Sequence, residues 1–521
     1  MKKSEIQLPA LFSDNMVMQR DKPLRVWGEA TEEIAKVRIT LGEASAEAEI
    51  IDGHFMAELP PQPASVGLNL AIFANEETDP QLILRNVALG DVYLACGQSN
   101  MEYFLRYDAH WQDIRESRPD PDIRMFNVPR ISFEGSPYTH AEDSGFWFIK
   151  GHPALDVFSA PGYTFARELK KHIDIPFGII GCNWGGTPAC AWIEESYLRD
   201  EPLNVFMKEY EAELAAWDPD ELREASLKGM AFENSYRHEL EWRVMMYGLS
   251  YKEQLLWMKE HAKDPVFPVG PYHHYRPCGL YHTMIETIAP FAAKGILWYQ
   301  GESDSGHAEI YDQTMKALIQ CFRDTFRDPA LPFLFVQLAP FERWLDCTGD
   351  DYPAVRRSQD IAAHAETNAW MTCIMDIGDK DDIHPKRKQE VGERLALLAR
   401  GHVYGEDILC DPPEFNYASW DGRVLRLHFL HAEGGLLIGE NAAACLKLET
   451  SCQDGVPDGS PAVIRRLYTE DDTLCVELLP QDQEHDQLSF SFAEAPYCEV
   501  RIWNQAHLPV KPFHGMQGRT R

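Results

Sequence analysis

Residues 90–101 read Gly90-Asp91-Val92-Tyr93-Leu94-Ala95-Cys96-Gly97-Gln98-Ser99-Asn100-Met101. The stretch passes from an apolar run, Val92 to Cys96, directly into small and polar residues. An apolar run of this length is typical of a strand buried on both faces, and the residues after it predict a turn into a helix. Ligands of an open α/β sheet bind at the carboxyl ends of its strands, so Ser99 stands where chemistry is expected.

Four further apolar runs predict the other strands of the same sheet. They are Pro176 to Cys182, Gly295 to Tyr299, Pro332 to Leu338 and Trp370 to Asp376. Segments with helical spacing lie between or after them, at Tyr163 to His172, Ile310 to Phe326 and Lys386 to Arg400. This alternation predicts a five-stranded parallel sheet with helices on both faces, which is a three-layer α/β/α domain.

The sequence on either side of this pattern predicts two further domains. Residues 1–88 contain short alternating apolar segments broken by Gly and Pro, which favours an N-terminal β-rich domain. Residues 89–405 hold the α/β pattern, interrupted at about 195–290 by a helical insertion rich in Trp, Tyr and Met. Residues 406–521 return to strand-like runs and predict a C-terminal β-sandwich. The insertion is either a packing or homodimer surface or a wall of the substrate cleft.

The composition of the chain limits its partners. Its 521 residues include 49 Lys and Arg against 82 Asp and Glu, a formal net charge of −33, without a basic stripe. Such a surface repels phosphates, so we expect no nucleic-acid partner and no membrane partner. No apolar window is long enough for a bilayer, and polar residues interrupt the N-terminal stretch where an export signal would lie. Twelve cysteines without CxxC spacing favour reduced, mostly buried thiols and a cytoplasmic location.

Ser99 is the candidate nucleophile. A serine on a strand-to-helix turn exposes its hydroxyl and directs its backbone N–H toward the same space, which suits a nucleophile that binds its own oxyanion. The alternative is that Ser99 only caps a helix. A nucleophilic serine needs a base, and His384 follows the fifth predicted strand in the run Asp381-Asp382-Ile383-His384-Pro385. Asp381 is the candidate that orients His384 through Nδ1, and Asp382 is the rival.

Two other strand ends offer donors for an oxyanion hole. The second predicted strand runs into Gly185 and Gly186, where paired glycines let backbone N–H groups approach a substrate. The third runs into Gln300, whose side-chain amide is a donor. Each signal alone is weak, since Gly-Gly is most often a turn, but four polar strand ends belong to one sheet. No His or Cys ligands cluster with metal spacing, so we predict neither a metal nor a cofactor.

A resemblance to a known family rests on four strings that occur in this order, GQSNM, WGGTP, WYQGES and DIHP. They resemble the SGNH hydrolase superfamily, and specifically its sialate O-acetylesterase family of carbohydrate esterases. The likeness runs nearly end to end, since three more strings look like that family, LPALFSDNMVMQRDKPLRVWGEA, RPCGLYHTMI and LPVKPF. The resemblance implies an SGNH, flavodoxin-like catalytic domain. It also implies a set of roles: Ser99 as nucleophile, His384 as general base, and the N–H of Ser99, the N–H of Gly185 or Gly186 and the Gln300 side chain as oxyanion donors.

The resemblance implies further roles near these motifs. Asp381 fits the Asp-x-x-His form of the superfamily, although members similar to this chain vary there, which would leave a Ser-His dyad. Candidate substrate-binding residues are Asn100, Trp184 and Glu302, and we expect Glu302 to order Gln300 or to bind the sugar.

The implied function is hydrolysis of acetyl esters on carbohydrate through an acetyl-Ser99 intermediate. The acetylated carbohydrate would be sialic acid or a xylo-, manno- or xyloglucan-type oligosaccharide. Two alternatives stay open. One is a broad-specificity SGNH esterase, lipase-like, for longer acyl chains. The other is a non-catalytic carbohydrate-binding protein.

Overall fold

Residues 6–74 form mainly antiparallel β-structure. A computed structural model describes residues 5–136, 143–233, 244–261, 267–451, 457–479 and 487–518. Its first strands are β1 (Ile6–Gln7), β2 (Val17–Gln19), β3 (Leu24–Ala30), β4 (Lys36–Leu41), β5 (Ala44–Glu49), β6 (His54–Leu59) and β7 (Ser65–Ala74). Strands β1, β3 and β6 form one sheet. Every second residue of β4 and β6 is buried, and in β4 the buried apolar residues alternate with polar ones.

One long strand, β8 (Leu82–Gly97), joins this β-structure to the central sheet. Its first half pairs with β7 and with β2. Its second half lies between the strands Phe177–Asn183 and Gly295–Tyr299 and is parallel to both. The predicted boundary between residues 88 and 89 therefore falls inside a continuous strand, and the two domains share backbone hydrogen bonds.

The central sheet contains six parallel strands rather than the five that we predicted. The strands after β8 are β9 (Ile123–Asn127), β10 (Trp147–Ile149), β11 (Phe177–Asn183), β12 (Gly295–Tyr299), β13 (Phe333–Val336), a separate ribbon of β14 (Arg343–Trp344) and β15 (Cys347–Thr348), and β16 (Ala369–Thr372). The order across the sheet is β10-β9-β11-β8-β12-β13-β16, with β10 antiparallel at the edge. A strand occurs at each of the five predicted places.

The sixth parallel strand is β9, which carries a charged residue at its second position. Arg124 interrupts the apolar run of this strand, so a search for continuous apolar residues does not find it. The structure buries Arg124 because its guanidinium donates hydrogen bonds to the backbone carbonyls of Asn15 and Asn86. A buried guanidinium is tolerated when its donors are satisfied in this way.

Two pairs of helices pack against the central sheet. The helices are α1 (Ser99–Glu102), α2 (Trp111–Glu116), α3 (Ala160–Lys170), α4 (Asn204–Ala215), α5 (Pro219–Glu233), α6 (Tyr251–His261), α7 (Glu286–Ile288), α8 (Tyr311–Thr325), α9 (Tyr352–Ala365) and α10 (Lys388–Leu398). Helix α3 packs on α10, and α8 packs on α9. All residues of β11, β12 and β13 are buried, which requires cover on both faces of the sheet. In the described ranges, no helix combines the length and apolarity needed to cross a membrane.

The segment predicted as a helical insertion contains α4 to α7 and two π-helical segments, Val244–Gly248 and Tyr281–Ile285. Residues 234–243 and 262–266 of the insertion lie outside the described residues. Short 3₁₀ segments occur at Leu105–Tyr107, Pro153–Val157, Ala189–Trp192, Glu195–Leu198, Glu302–Ile310 and Ala442–Cys445, and a third π-helical segment, Ala399–Val403, extends α10.

The C-terminal residues form two antiparallel four-stranded sheets around a shared apolar core. The strands are β17 (Glu414–Trp420), β18 (Val424–Leu430), β19 (Leu437–Ile438), β20 (Leu446–Ser451), β21 (Pro457–Pro461), β22 (Ile464–Glu470), β23 (Thr473–Leu478), β24 (Gln487–Phe492), β25 (Ile502–Trp503) and β26 (Phe513–Gly518). The sheet orders are β17-β18-β23-β22 and β21-β20-β24-β26.

One pair of cysteines in this domain departs from the expectation of reduced thiols. Cys445 and Cys498 form a disulfide across 53 residues of sequence, a separation at which no local spacing reveals a pair. The other nine cysteines in the described ranges are free, and eight of them are buried. The location of the protein in the cell stays a prediction.

Candidate active site

Ser99 lies in the first turn of α1, directly after β8 ends. Gln98 occupies the cap position of this helix, so Ser99 is not the cap. The sharp turn requires glycine at position 97, where φ is +136° and a Cβ would lie 2.2 Å from the carbonyl oxygen of Tyr299. The turn therefore presents the Ser99 hydroxyl at the carboxyl edge of the sheet rather than at a helix end.

Ser99 and His384 are in direct contact. Ser99 Oγ lies 2.9 Å from Nε2 of His384, and both side chains are buried. Burial, and then the positive charge of Lys388, lower the pKa of His384 to about 3. The imidazole is therefore neutral at neutral pH, and in the tautomer protonated at Nδ1 its Nε2 accepts a hydrogen bond from the Ser99 hydroxyl. A neutral imidazole in this position is able to remove the serine proton.

The carboxylate beside His384 belongs to Asp382 and not to Asp381. The Asp381 side chain is 39% exposed and accepts a hydrogen bond from Arg343 at 3.2 Å, so it is turned away from His384. Asp382 is mostly buried, with a side chain that is 13% exposed, and its Oδ1 lies 3.9 Å from His384 Nδ1 and 2.8 Å from the backbone nitrogen of the same residue. Burial raises the pKa of Asp382 to about 7. The structure therefore places Asp382 beside His384, in place of the predicted Asp381. Asp382 turns back toward the histidine, whereas the Asp381 side chain points toward Arg343.

The two glycines predicted for the oxyanion hole differ in what their N–H groups contact. The N–H of Gly185 donates to Oε2 of Glu102 at 2.6 Å, and Glu102 in turn pairs with Arg130 at 2.6 Å. The N–H groups of Ser99 and Gly186 form no hydrogen bond within the described ranges. The geometry therefore leaves Ser99 and Gly186 as available donors and removes Gly185, whose N–H is engaged by a carboxylate.

The Gln300 side chain is fully buried and its hydrogen bonds stay within the protein. Its amide nitrogen donates to the carbonyl of Thr187 at 3.2 Å and to the carboxylate of Asp304. Its amide oxygen accepts from the Tyr311 hydroxyl at 2.7 Å. This corrects the prediction of an oxyanion donor, because both amide hydrogens are already committed. It also corrects one of the two roles expected for Glu302, since the carboxylate that orders Gln300 is Asp304.

A buried polar chain lies behind Ser99 and contains two residues that we predicted to bind substrate. Lys388 Nζ donates to Asn100 Oδ1 at 2.6 Å, and the Asn100 amide donates to Glu302 and to the carbonyl of Ile383 at 3.0 Å. Burial lowers the pKa of Lys388 to about 7 and raises the pKa of Glu302. Asn100 and Glu302 therefore bind protein groups, and they hold α1 against the His384 loop.

Trp184, the third predicted substrate-binding residue, lies under the end of the insertion. Its ring stacks on His274 with centroids 4.6 Å apart and planes at 14°. His273 continues the stack at 4.7 Å. The neighbouring Tyr275 reaches over Gly186, where φ is +75° and a Cβ would lie 1.9 Å from the Tyr275 hydroxyl oxygen. Residues 273–275 therefore form one wall beside the candidate oxyanion donor.

The insertion also contacts His384. The Tyr247 ring, in the π-helical segment Val244–Gly248, meets the imidazole edge-on with centroids 5.1 Å apart. Trp344 meets it from another direction at 5.4 Å, and the Trp344 indole N–H donates to Gln254 of α6 at 2.6 Å. Of the two interpretations of the insertion, the one that makes it a wall of the cleft matches these contacts.

Several residues of the site were not predicted from the sequence, although the position of one of them, Glu102, indicates that it lies near Ser99. Glu102 lies three positions after Ser99 in a short helix, so the two side chains had to share a face. Tyr247 and Trp344 are distant from His384 in sequence, and nothing in their local pattern separates them from ordinary core aromatics. Lys388 stands at the start of a helix, where a lysine is usually solvated rather than buried.

The comparisons with known proteins agree on one group of enzymes. Residues 270–399 match the family model described as carbohydrate esterase, sialic acid-specific acetylesterase. The sialate O-acetylesterase of Rattus norvegicus is 28% identical over 358 residues, which cover 64% of this chain and 60% of that protein. The Homo sapiens protein of the same name is 25% identical over 354 residues, covering 64% and 57%. The matched region thus spans less than two thirds of either relative.

A solved structure matches the chain over nearly its whole length. The crystal structure of a carbohydrate acetylesterase from Xanthomonas citri is 27% identical, covers 98% of this chain and 99% of its own, and has a TM-score of 0.72. Both flanking β-structures are therefore part of the shared architecture. Motifs, family model, relatives and structure agree, and the chain is related to the sialate O-acetylesterase family of carbohydrate esterases.

Proposed function

We propose that this chain is a serine esterase that removes O-acetyl groups from carbohydrates. The observation that carries the proposal is the 2.9 Å contact between Ser99 Oγ and His384 Nε2 at the carboxyl edge of the central sheet. The relationship to carbohydrate acetylesterases supports the ester class and the sugar. We further assign the central domain to the SGNH superfamily, with one parallel strand more than the five expected.

The reaction would proceed in two steps through an acetyl-enzyme. His384 Nε2 takes the hydroxyl proton as Ser99 Oγ attacks the acetyl carbonyl, and the oxyanion accepts hydrogen bonds from the N–H groups of Ser99 and Gly186. His384 then gives its proton to the departing sugar oxygen, leaving acetyl-Ser99. In the second step His384 removes a proton from water, which attacks the ester carbonyl; the bond to Ser99 Oγ breaks, acetate leaves, and His384 returns its proton to Ser99 Oγ. Asp382, when ionised, stabilises the imidazolium that forms in each step.

The surroundings of Ser99 favour a short acyl group. Ser99 is only 6% exposed, and the rings of Tyr247 and Trp344 close against His384 on the side of the insertion. An enzyme for long acyl chains needs an apolar channel that leads away from the nucleophile. For the sugar we propose acetylated sialic acid or acetylated xylo-, manno- or xyloglucan-type oligosaccharide.

The test compares 4-nitrophenyl acetate with the butyrate and octanoate esters, for the wild type, Ser99→Ala and the exposed control Ser196→Ala. We expect acetate to be preferred, Ser196→Ala to match the wild type, and Ser99→Ala to lose about 10⁴-fold or more in kcat. Equal turnover of octanoate would instead indicate a broad-specificity esterase. Absence of turnover on every ester and on acetylated sugars would leave carbohydrate binding as the function.

A further inference from the structure

A second cluster of polar side chains lies apart from Ser99, where the α/β domain passes into the C-terminal β-domain. His402 belongs to the π-helical segment Ala399–Val403 that ends α10, and Cys410 and Asp411 lie in the linker before β17. One ligand atom from each of the three side chains falls within 4.8 Å of the others. A thiol, an imidazole and a carboxylate are the three side-chain types that bind zinc in proteins.

The separations between these atoms correspond to three vertices of a tetrahedron around zinc. Cys410 Sγ lies 3.5 Å from His402 Nε2 and 3.6 Å from Asp411 Oδ2, and Nε2 lies 3.0 Å from that oxygen. Usual zinc bond lengths in tetrahedral geometry separate sulfur from nitrogen or oxygen by about 3.5 Å, and nitrogen from oxygen by about 3.3 Å. Only the distance between His402 Nε2 and Asp411 Oδ2 would have to increase, by a few tenths of an ångström.

Neighbouring groups hold the three side chains in place. Trp370 stacks on the His402 ring with centroids 4.6 Å apart and planes at 9°, which fixes the imidazole plane. A Cβ at position 401 would lie 2.3 Å from Cys410 Sγ, so the thiol reaches His402 only because residue 401 is glycine. Asn504 donates to the backbone carbonyl of Asp411 at 2.9 Å. Metal ligands are commonly oriented by such supporting contacts.

A second cluster of possible metal ligands differs from the His402 cluster because a lysine already pairs with its carboxylates. Asp360, His364 and Glu414 also bring three ligand atoms together. There the Lys511 ammonium bonds to both carboxylates and supplies the positive charge itself. At Asp411 no lysine or arginine forms an ion pair within the part of the chain that the structure describes. Of the two clusters, the His402 cluster is therefore the one whose carboxylate is not already paired with a lysine or arginine and can bind a cation.

We propose that His402, Cys410 and Asp411 bind a zinc ion that fastens the linker to the α/β domain. Water would fill the fourth position, since the His402 and Asp411 side chains each keep 24% exposure. The spacing His-x7-Cys-Asp is not one of the usual zinc spacings, which is why the sequence led us to expect no metal. The inference does not depend on the proposed esterase activity, and no step of that reaction involves the ion.

The experiment measures metal binding by the full-length protein after chelator dialysis. Zinc is added in excess, the protein is passed through a desalting column, and its metal content is determined by mass spectrometry. We expect about one zinc per chain, and with cobalt in its place a thiolate-to-cobalt charge-transfer band in the near ultraviolet. The unfolding temperature of the wild type should rise when zinc is added.

Two ligand variants and two matched controls complete the design. Cys410→Ala and His402→Ala should each weaken zinc binding by about 10-fold or more, and Cys410→Ala should abolish the cobalt band because that band requires the thiolate. Cys347→Ala, an exposed free cysteine, and His364→Ala, in the cluster that Lys511 fills, should bind as the wild type does. Absence of bound zinc and of the cobalt band in the wild type would overturn the proposal without reference to any variant. Equal zinc binding by Cys410→Ala would overturn it as well.

Discussion

Asp382 lies beside His384 without completing a hydrogen bond to its ring: Oδ1 is 3.9 Å from Nδ1 and 2.8 Å from the backbone nitrogen. Nδ1 of His384 is buried and has no partner within the described ranges. Hydrogen bonds of catalytic groups are often long in a free enzyme and shorten when substrate binds. Asp382 is thus positioned to support the imidazolium when it forms, although it does not hold the neutral ring.

This relationship predicts different results for two adjacent aspartates. Asp382→Asn keeps an oxygen that accepts the backbone N–H but removes the charge, and we expect kcat to fall about 10- to 100-fold. Asp381→Asn disturbs only an exposed ion pair with Arg343, so kcat should change by less than about twofold. Steady-state kinetics on an acetyl ester measure both. A larger loss in Asp381→Asn would restore the assignment made from the sequence.

The pH dependence of kcat should follow Asp382 rather than His384. His384 has a pKa lowered to about 3, so it is already neutral throughout the range from pH 5 to pH 9. Asp382 has a pKa raised to about 7 and gains its negative charge as pH rises through that value. The imidazolium of the transition state is stabilised only above it, so kcat should rise with pH and level off in alkaline solution.

Lys388 provides the control for this pH profile. Its pKa is lowered to about 7 by burial, and loss of its positive charge would also favour the imidazolium as pH rises. We expect Asp382→Asn to flatten the profile and Lys388→Met to retain the rise. The reverse pattern, a rise that persists in Asp382→Asn and disappears in Lys388→Met, would assign the titration to the lysine.

Gln300→Met should reveal a structural rather than a catalytic role. The substitution keeps the volume but removes one hydrogen bond from the Asp304 carboxylate and one from the Tyr311 hydroxyl, so the free energy of unfolding should fall by about 1–3 kcal/mol. We expect kcat to fall less than about 10-fold, against the 10²–10³-fold of a lost oxyanion donor. Denaturant unfolding and steady-state kinetics separate the two effects. A loss in kcat of the larger size with unchanged stability would return Gln300 to the oxyanion hole.

Gln254→Leu tests whether the insertion positions His384. The change removes the acceptor of the Trp344 indole N–H, which frees the ring that packs on the imidazole. We expect kcat/KM to fall about 3- to 10-fold, since small displacements of catalytic groups are costly. Lys252→Ala, on the exposed face of the same helix, should leave kcat/KM unchanged. Equal values for wild type and Gln254→Leu would show that the Trp344 contact has no bearing on His384.

The sheet could be predicted from sequence wherever its strands are apolar throughout. A strand formed at each predicted run because burial on both faces requires continuous apolar residues. Strand β9 was not predicted because Arg124 interrupts its apolar residues. The carbonyls that accept hydrogen bonds from the buried guanidinium come from distant parts of the chain. The break between residues 88 and 89 could not be located either, since β8 serves two domains and its pattern does not change where the partners do.

The candidate site likewise contains some residues that the sequence predicts and others that it does not. Ser99 and His384 follow from strand ends and motif strings, because those features fix the backbone near each residue. Which carboxylate turns toward His384, and where the Gln300 amide points, depend on rotamers and on partners such as Asp304 that only the folded chain brings together. The aromatic contacts of the insertion belong to this second kind.

The most direct test of the central claim is to trap the acetyl-enzyme. The protein is mixed with excess 4-nitrophenyl acetate, quenched in acid within the first turnovers, digested and analysed by peptide mass spectrometry. We predict that the peptide containing Ser99 gains one acetyl group, that fragmentation places it on Ser99, and that Ser99→Ala shows no such peptide. An acetyl group on another residue, or rapid ester hydrolysis by Ser99→Ala, would contradict the assignment of Ser99 as the nucleophile.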